Sequence, residues 1–300
     1  MIELYKINVK TQMSNIKTIK TSEPDSVKEY IRQLNIPRSD SHKGQNGKVL
    51  IIGGSSLFHS ASIWAAEVAS HFVDIVHYCS TEENNRVFLE LKKKFHNGII
   101  VRQEHLMAYV KEDDAILVGS GMMRDGEESK YTYKLTKELM DNFPDKKFVF
   151  DAGALQMMEP AWLLKMKTSP ILTPHQKEFE DLFKTDIKSL GVDEKAKLAA
   201  AAAAQYHCVI LLKAVDDIIS DGHETVIVKG GNAGLTKGGT GDILAGLTTA
   251  LYGRNCPMTA SIAASCLLKK SAEELSLNYG YWYNVGNLID KIPQTLTELY

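Results

Sequence analysis

Gly230-Gly231-Asn232-Ala233-Gly234-Leu235-Thr236-Lys237-Gly238-Gly239-Thr240-Gly241-Asp242, followed at once by Ile243-Leu244-Ala245-Gly246-Leu247, is the stretch on which the reading of the chain turns. Six of its first thirteen residues are Gly, and one carboxylate closes the run. The apolar residues that follow have helical spacing, so Gly239, Thr240 and Gly241 fall at the entry or first turn of a helix. A helix start offers unpaired N–H groups and a partial positive charge. Glycines there let a ligand approach the backbone closely. The combination predicts an anion site suited to phosphate. Asp242 would repel a phosphate, which makes sense if it takes a proton from the hydroxyl that receives the transferring group. The bland alternative is a flexible loop with an N-capping Asp.

Working outward, the pattern is strand, Gly turn, helix, strand, as in a parallel sheet. Val49-Leu50-Ile51-Ile52 reads as a buried strand, Gly53-Gly54-Ser55-Ser56 as its turn, Ser60–Phe72 as a helix and Asp74–Cys79 as the next strand. A helix at Asn84–Phe95, a strand at Gly98–Arg102 and a strand at Ala115–Val118 ending in Gly119-Ser120-Gly121 follow. The next helix is Tyr131–Asn142. Lys147–Phe150 then ends in Asp151, Ser169–Leu172 ends in Thr173-Pro174-His175-Gln176-Lys177-Glu178, and Cys208–Leu212 ends in Lys213. The Ala-rich segment Asp193–Tyr206 is a helix on propensity. Asp217–Ser220 and Thr225–Lys229 form a hairpin about Asp221-Gly222. Helices at about 242–252 and 257–276 and a short one near Val285–Lys291 complete the pattern. Every candidate functional group follows a strand's carboxyl end, where ligands bind in such sheets. Residues 1–40 are polar and irregular, with a short helix around Ser26–Leu34. They read as an N-terminal extension packed on the 41–300 domain, or as partly disordered.

Composition narrows the class. The chain has 300 residues, 44% hydrophobic and 24% charged, with a net charge of −2. No global basic field favours nucleic acid or a membrane surface. Cys79, Cys208, Cys256 and Cys266 have no Cys-x-x-Cys spacing, so neither disulfides nor a zinc site is expected. The expectation is a cytoplasmic protein without a membrane span or a resident metal.

The order of these motifs resembles the ADP/ATP-dependent NAD(P)H-hydrate dehydratases, a branch of the ribokinase-like fold. The matching residues are Ser41-His42-Lys43-Gly44 with Gly47, Val49–Ser55, Gly119-Ser120-Gly121 where the family has Gly-Pro-Gly, Asp151–Leu155, Leu172–His175 with Glu178, and Gly238–Gly246. The resemblance implies a three-layer α/β/α domain with a mostly parallel sheet. It also implies repair of hydrated NADH and NADPH (NADHX and NADPHX). In that reaction the terminal phosphoryl of ADP or ATP, carried with Mg²⁺, passes to the ring hydroxyl and then leaves as phosphate. It places Asp242 as base and Gly239, Thr240 and Gly241 as anion hole. Ala61, Gly121, His175 and Asp242 hold the hydrated dinucleotide. Lys213, Ala214, Val215, Asp216, Asp217, Asn232 and Gly241 meet the nucleotide. Similar proteins form homo-oligomers. A separate NAD(P)H-hydrate epimerase is the implied functional companion, since the epimerase domain often fused to this family is not seen.

Two departures stand out. The family's Lys-Gly-Ala-x-Thr is here Lys213-Ala214-Val215-Asp216-Asp217, which adds two negative charges beside an expected polyphosphate. The family's His-Pro-Gly-Glu is here His175-Gln176-Lys177-Glu178. Asp151 reads as a turn residue or as a partner of Mg²⁺ or water. His42 and Lys43 read as a site loop or a solvated one, and Tyr279, Tyr281, Trp282 and Tyr283 as core or subunit contact. Two other readings stand beside the dehydratase. One is a small-molecule kinase of the same fold, which needs the same Gly-Thr-Gly-Asp. The other is a non-catalytic nucleotide-binding protein, suggested by the acidic loop.

Overall fold

The structure, a computed structural model, describes Ile7 and residues 15–300. Its ten strands are β1 (Asn15–Lys20), β2 (Lys48–Ile52), β3 (Ile75–Cys79), β4 (Gly98–Ile100), β5 (Ala115–Val118), β6 (Lys147–Phe150), β7 (Ile171–Leu172), β8 (Val209–Leu212), β9 (Asp217–Ser220) and β10 (Glu224–Lys229). They form one sheet in the order β1-β10-β9-β8-β7-β6-β5-β2-β3-β4. Among these strands only β9 runs against the rest, through the hairpin about Asp221-Gly222 that the sequence announces.

Strand side chains alternate between faces, and two cores result. Val49 and Ile51 point into one, Leu50 and Ile52 into the other. The first is covered by α1 (Pro24–Ile31), α2 (Ser60–Ala69), α3 (Glu82–Leu91), α9 (Thr240–Tyr252), α10 (Pro257–Tyr279) and α11 (Val285–Leu299). The second is covered by α4 (Leu106–Glu112), α5 (Gly126–Asn142), α6 (Ala152–Met157), α7 (Gln176–Phe183) and α8 (Val192–Tyr206). This is a three-layer α/β/α fold. α9 lies against β2, β5 and β6 with Ile243, Leu244 and Leu247 buried. Each such side chain contributes roughly 1.5–3 kcal/mol of burial, which anchors the helix whose first turn forms the site. No helix among the described residues is long and apolar enough to cross a membrane.

The amino-terminal segment packs on the rest of the chain and adds a strand to its sheet. β1 pairs with β10 in parallel, from Asn15↔Glu224 to Lys20↔Lys229, and α1 buries Val27, Tyr30 and Ile31 in the first core. Among the described residues the sheet therefore begins at Asn15. β1 escapes a hydrophobicity reading because an edge strand here buries only Ile19 fully. Beyond it, Thr21 Oγ1 donates to the Glu273 carboxylate on α10, and the same carboxylate accepts Gly231 N–H at 3.0 Å. The final helix is also longer than expected. It runs through Pro293 because Leu288, Ile289, Ile292 and Leu299 give it a continuous buried face.

Candidate active site

The sheet order sets the carboxyl ends of β8, β7, β6, β5 and β2 side by side. Lys213, His175, Asp151, Gly119-Ser120-Gly121 and Gly53-Gly54 thus stand in one row. The amino end of α9 meets this row. Gly239 precedes the helix with φ +98°, and a Cβ there would lie 2.6 Å from the Trp64 ring. The Thr240 hydroxyl donates to the carbonyls of Leu235 and Lys237 at 2.8 and 2.9 Å, which folds the glycine-rich segment back onto the helix start. No side chain caps α9; Thr240 N–H meets Lys237 O at 3.4 Å and Ile243 N–H meets Gly239 O at 3.0 Å, while Gly241 N–H, with no Cβ beside it, faces the approach an anion would take.

Asp242, in that first turn, is half-buried. Burial and the Asp151 carboxylate push its proton affinity up to about 7, against the pull of the Lys213 ammonium and the Ser120 hydroxyl. Asp151 is 2% exposed and fully engaged. Its Oδ1 accepts Lys213 Nζ at 2.7 Å and Thr173 Oγ1 at 2.8 Å, and its Oδ2 accepts Ser120 Oγ at 3.0 Å. With these donors in place, Asp151 is a member of a charge network. Ser120, which stands where the family has Pro, is a member that the sequence did not single out.

Gly119 makes the approach possible. It has φ +123°, and a Cβ would fall 1.8 Å from the Asp151 carbonyl oxygen. Gly119→Ala is expected to lose roughly 1–3 kcal/mol from backbone strain alone, read as a lower thermal midpoint, and to displace Asp151. Ala61 and Gly121 lie against each other. A Cβ on Gly121 would be 2.9 Å from the Ala61 methyl, so the crevice there admits only small residues.

His175 is half-exposed at the start of α7. Its Nδ1 accepts Glu178 N–H at 3.2 Å while the Glu178 carboxylate accepts His175 N–H at 2.8 Å, a reciprocal cap. The His-Gln-Lys-Glu departure therefore closes its turn through these two hydrogen bonds. His175 and Lys213 sit on neighbouring segments, linked by an isolated parallel bridge. By contrast, His42 and Lys43 are exposed in the loop before β2, at the amino end of the sheet and away from this row. His77 is buried against Asp113 at 2.9 Å.

A cavity of about 540 Å³ opens beside Gly241, lined on its apolar side by Val215, Leu235, Leu244 and Leu268. This is the size and character of a small-ligand pocket. Lys213, Ala214, Val215, Asp217 and Asn232 border it. The Asn232 side chain is occupied elsewhere. Its Oδ1 accepts Gly234 N–H and the Tyr283 hydroxyl, and its Nδ2 donates to Ala272 O, so it braces the glycine-rich wall. Tyr283 is wholly buried, whereas Tyr279, Tyr281 and Trp282 are exposed.

The acidic loop does not confront a polyphosphate with two free charges, as the sequence suggested. Asp217 is 5% exposed, accepts Ala214 N–H at 2.9 Å and Ser265 Oγ at 2.7 Å, and stands 3.6 Å from Lys269 Nζ. Asp216 stands 3.6 Å from Lys229 Nζ. Lys269, itself 3% exposed, donates to Val215 O at 2.7 Å and so shapes the loop from behind. The sequence reading missed it. Its signal was a Lys, followed by Lys270, at the end of the mostly uncharged run Ser261–Leu268.

A family model described as NAD(P)H-hydrate dehydratase matches residues 49–294. The chain belongs to that family. A bifunctional NAD(P)H-hydrate repair enzyme of Methanocaldococcus jannaschii is 33% identical over 86% of this chain and 50% of its own length. An ADP-dependent (S)-NAD(P)H-hydrate dehydratase of Nitrosopumilus maritimus is 31% identical over 77% of this chain and 81% of its own. The chain of this dehydratase-family member thus spans about half the length of the bifunctional relatives it matches. Among solved structures, an ADP/ATP-dependent NAD(P)H-hydrate dehydratase from Bacillus subtilis co-crystallized with ATP/Mg²⁺ superposes with TM-score 0.75. It is 24% identical and covers 91% of this chain and 97% of that one. A ribokinase-like superfamily protein from Enterococcus faecalis superposes with TM-score 0.78 at 20% identity over 96% of this chain and 98% of that one. The fold is ribokinase-like.

Proposed function

We propose that this chain dehydrates hydrated NADH or NADPH, using the terminal phosphoryl group of ADP or ATP. One observation carries the reading: Asp242 follows Gly241, which lines the 540 Å³ cavity, and is reached by the hydroxyl of Ser120, the neighbour of Gly121 in the crevice with Ala61. The nucleotide's base would lie among Val215, Leu235, Leu244 and Leu268, with its terminal phosphate on the N–H groups of Gly239–Asp242. The hydrated ring would lie over Gly121, with its hydroxyl facing Asp242.

The chemistry balances. Asp242 accepts the hydroxyl proton as the hydroxyl oxygen bonds to phosphorus and the bond to the nucleotide breaks. Phosphate then departs with the ring C–O electron pair, assisted by the ring nitrogen. A proton leaves the adjacent ring carbon to restore the dihydronicotinamide. Mg²⁺ fits as part of the nucleotide's load, supplying charge neutralisation on the phosphates. Among the described residues no group of three or more His, Cys, Asp or Glu is assembled for a metal, and Mg²⁺ on phosphates asks for one or two carboxylates at most.

The test is recovery of reduced-nicotinamide absorbance from the hydrate with ADP or ATP and Mg²⁺, alongside release of one phosphate per turnover. No recovery with either nucleotide sinks the reading, and a stable phosphorylated product would identify a kinase instead. Because a protonated Asp242 accepts nothing, kcat/KM for the hydrate is expected to fall about tenfold per unit below its midpoint. That midpoint lies near pH 7, and a plateau is expected above it. We place the reaction in the cytoplasm, with a homo-oligomer as the working form. A functional pairing with an NAD(P)H-hydrate epimerase is supported by the bifunctional names of several relatives.

A further inference from the structure

We propose that the cavity at the carboxyl ends of β3 and β4 takes the adenosine end of the hydrated dinucleotide, and that Arg86 and Arg102 there grip the 2′-phosphate that distinguishes the NADPH hydrate from the NADH hydrate. The inference rests on the reading of the Ala61–Gly121 crevice as the seat of the hydrated ring.

The sheet order points to the place. From β2 the sheet steps outward to β3 and β4, whereas β5, β6 and β7 follow one another on its other side. The order therefore reverses between β2 and β5, and open parallel sheets bind dinucleotides across the crevice at such a reversal. The loops after these two strands wall that crevice together. A Cβ on Gly121 would be 2.9 Å from Phe58 O and 3.3 Å from Gly54 Cα. A ring seated over Gly121 leaves the rest of its dinucleotide to run across the end of β2 toward β3 and β4. These strands lie two and three places from β5, roughly 10–15 Å at the spacing of neighbouring strands.

A cavity of about 730 Å³ opens there, lined from both strand ends and from α3. It shares a wall with the crevice through Ser80. The Ser80 hydroxyl donates to Gly53 O, and its carbonyl accepts Gln103 Nε2 at 3.3 Å and Asn85 Nδ2 at 3.4 Å. The lining suits a phosphorylated adenosine. Leu89 and Ile100 offer apolar surface for a base. Asn85 Oδ1 is buried with no hydrogen-bond partner, an acceptor that a ribose hydroxyl would satisfy. Arg86 and Arg102 bring two guanidinium forks, whose geometry matches phosphate. Their partners, Glu82 and Glu104, are exposed carboxylates, and Arg102 stands 3.7 Å from Glu104. Exposed ion pairs are weak, so a phosphate can draw either guanidinium from its partner. A ribose without that phosphate leaves both pairs as they are.

The experiment titrates NADP⁺ and NAD⁺ into the full chain saturated with ADP, followed by calorimetry. Both probes carry the adenosine end, and neither is hydrated, so nothing is turned over. The wild type is expected to bind NADP⁺ about tenfold more tightly than NAD⁺. Arg86→Ala and Arg102→Ala, both at exposed positions, each reduce that preference, and the double variant abolishes it with NAD⁺ and ADP affinities unchanged. Adenosine 2′,5′-bisphosphate is expected to bind the ADP-saturated chain in competition with NADP⁺. Equal wild-type affinities for the two dinucleotides overturn the proposal, as does a preference that survives loss of both arginines. Adenosine 2′,5′-bisphosphate that displaces ADP and leaves NADP⁺ in place overturns it too. A wild type that fails to dehydrate the hydrate sinks the dehydratase reading, whereas a lost preference in an active enzyme sinks this subsite alone.

Discussion

Asp242→Asn loses roughly 10²–10⁴-fold in turnover of hydrated dinucleotide and keeps its nucleotide. The amide has the shape of the carboxylate and no capacity to take the hydroxyl proton. Its placement is set by α9, which is anchored by Ile243, Leu244 and Leu247 and not by residue 242 itself. The substitution also removes a negative charge beside the open N–H groups, so ADP binds at least as tightly as to the wild type. Stability moves the other way from activity. Burial and Asp151 raise the Asp242 pKa in the folded chain. The folded state therefore holds the proton more tightly than the unfolded chain, and the stability this gives is present below the unfolded pKa. It is lost as pH rises through about 7. Above that pH the wild type carries a destabilising carboxylate that the variant lacks. The thermal midpoint of Asp242→Asn is expected to exceed that of the wild type at pH 8 and to converge with it in acid. A variant with full turnover would remove the base from the scheme.

Lys269→Met costs roughly 3–5 kcal/mol of stability, the penalty for stripping a buried carboxylate of its partner. Asp217 would keep Ser265 Oγ and Ala214 N–H but lose the ammonium that stands 3.6 Å from it. Burial already raises its pKa, opposed first by Lys269. Without that opposition the folded pKa climbs further. The folded chain then binds the proton more tightly than the unfolded one, and stability falls as pH rises between the two values. Urea midpoints of Lys269→Met should recover on acidification more than those of the wild type. Val215 O would also lose its donor, which loosens the 214–217 loop and weakens ADP binding. A double substitution, Asp217→Asn with Lys269→Met, should restore much of the stability, because no unpaired charge remains. Equal urea midpoints for the single variant and the wild type would show that the pair carries no weight.

Much of this was readable from the chain. Gly239-Thr240-Gly241-Asp242 could be placed at a helix start because glycine run, carboxylate and apolar period each point to the same local geometry. The strand ends were found because parallel strands buried on both faces are nearly continuous apolar runs. The unreadable parts share one cause: they depend on partners distant in sequence. Two adjacent aspartates look like a repulsive edge until Lys229 and Lys269 are brought beside them. Lys213 looks like an unpaired lysine at a strand end until Asp151 is brought beside it. Asn232 looks free until Tyr283 and Ala272 occupy its amide. β1 has no apolar run to betray it, because its pairing depends on main-chain groups offered by β10.

That first strand bears on how the gene should be cut. An expression boundary drawn at the first recognisable motif, Ser41, would strip the edge from β10 and bare its row of main-chain groups, an invitation to intermolecular pairing. It would also delete Thr21, whose hydroxyl sits on Glu273 where that carboxylate grips Gly231. A truncated product that precipitated, or that failed to retain ADP, would therefore report on the missing hem of the sheet and say nothing about the chemistry of the protein from which it was trimmed.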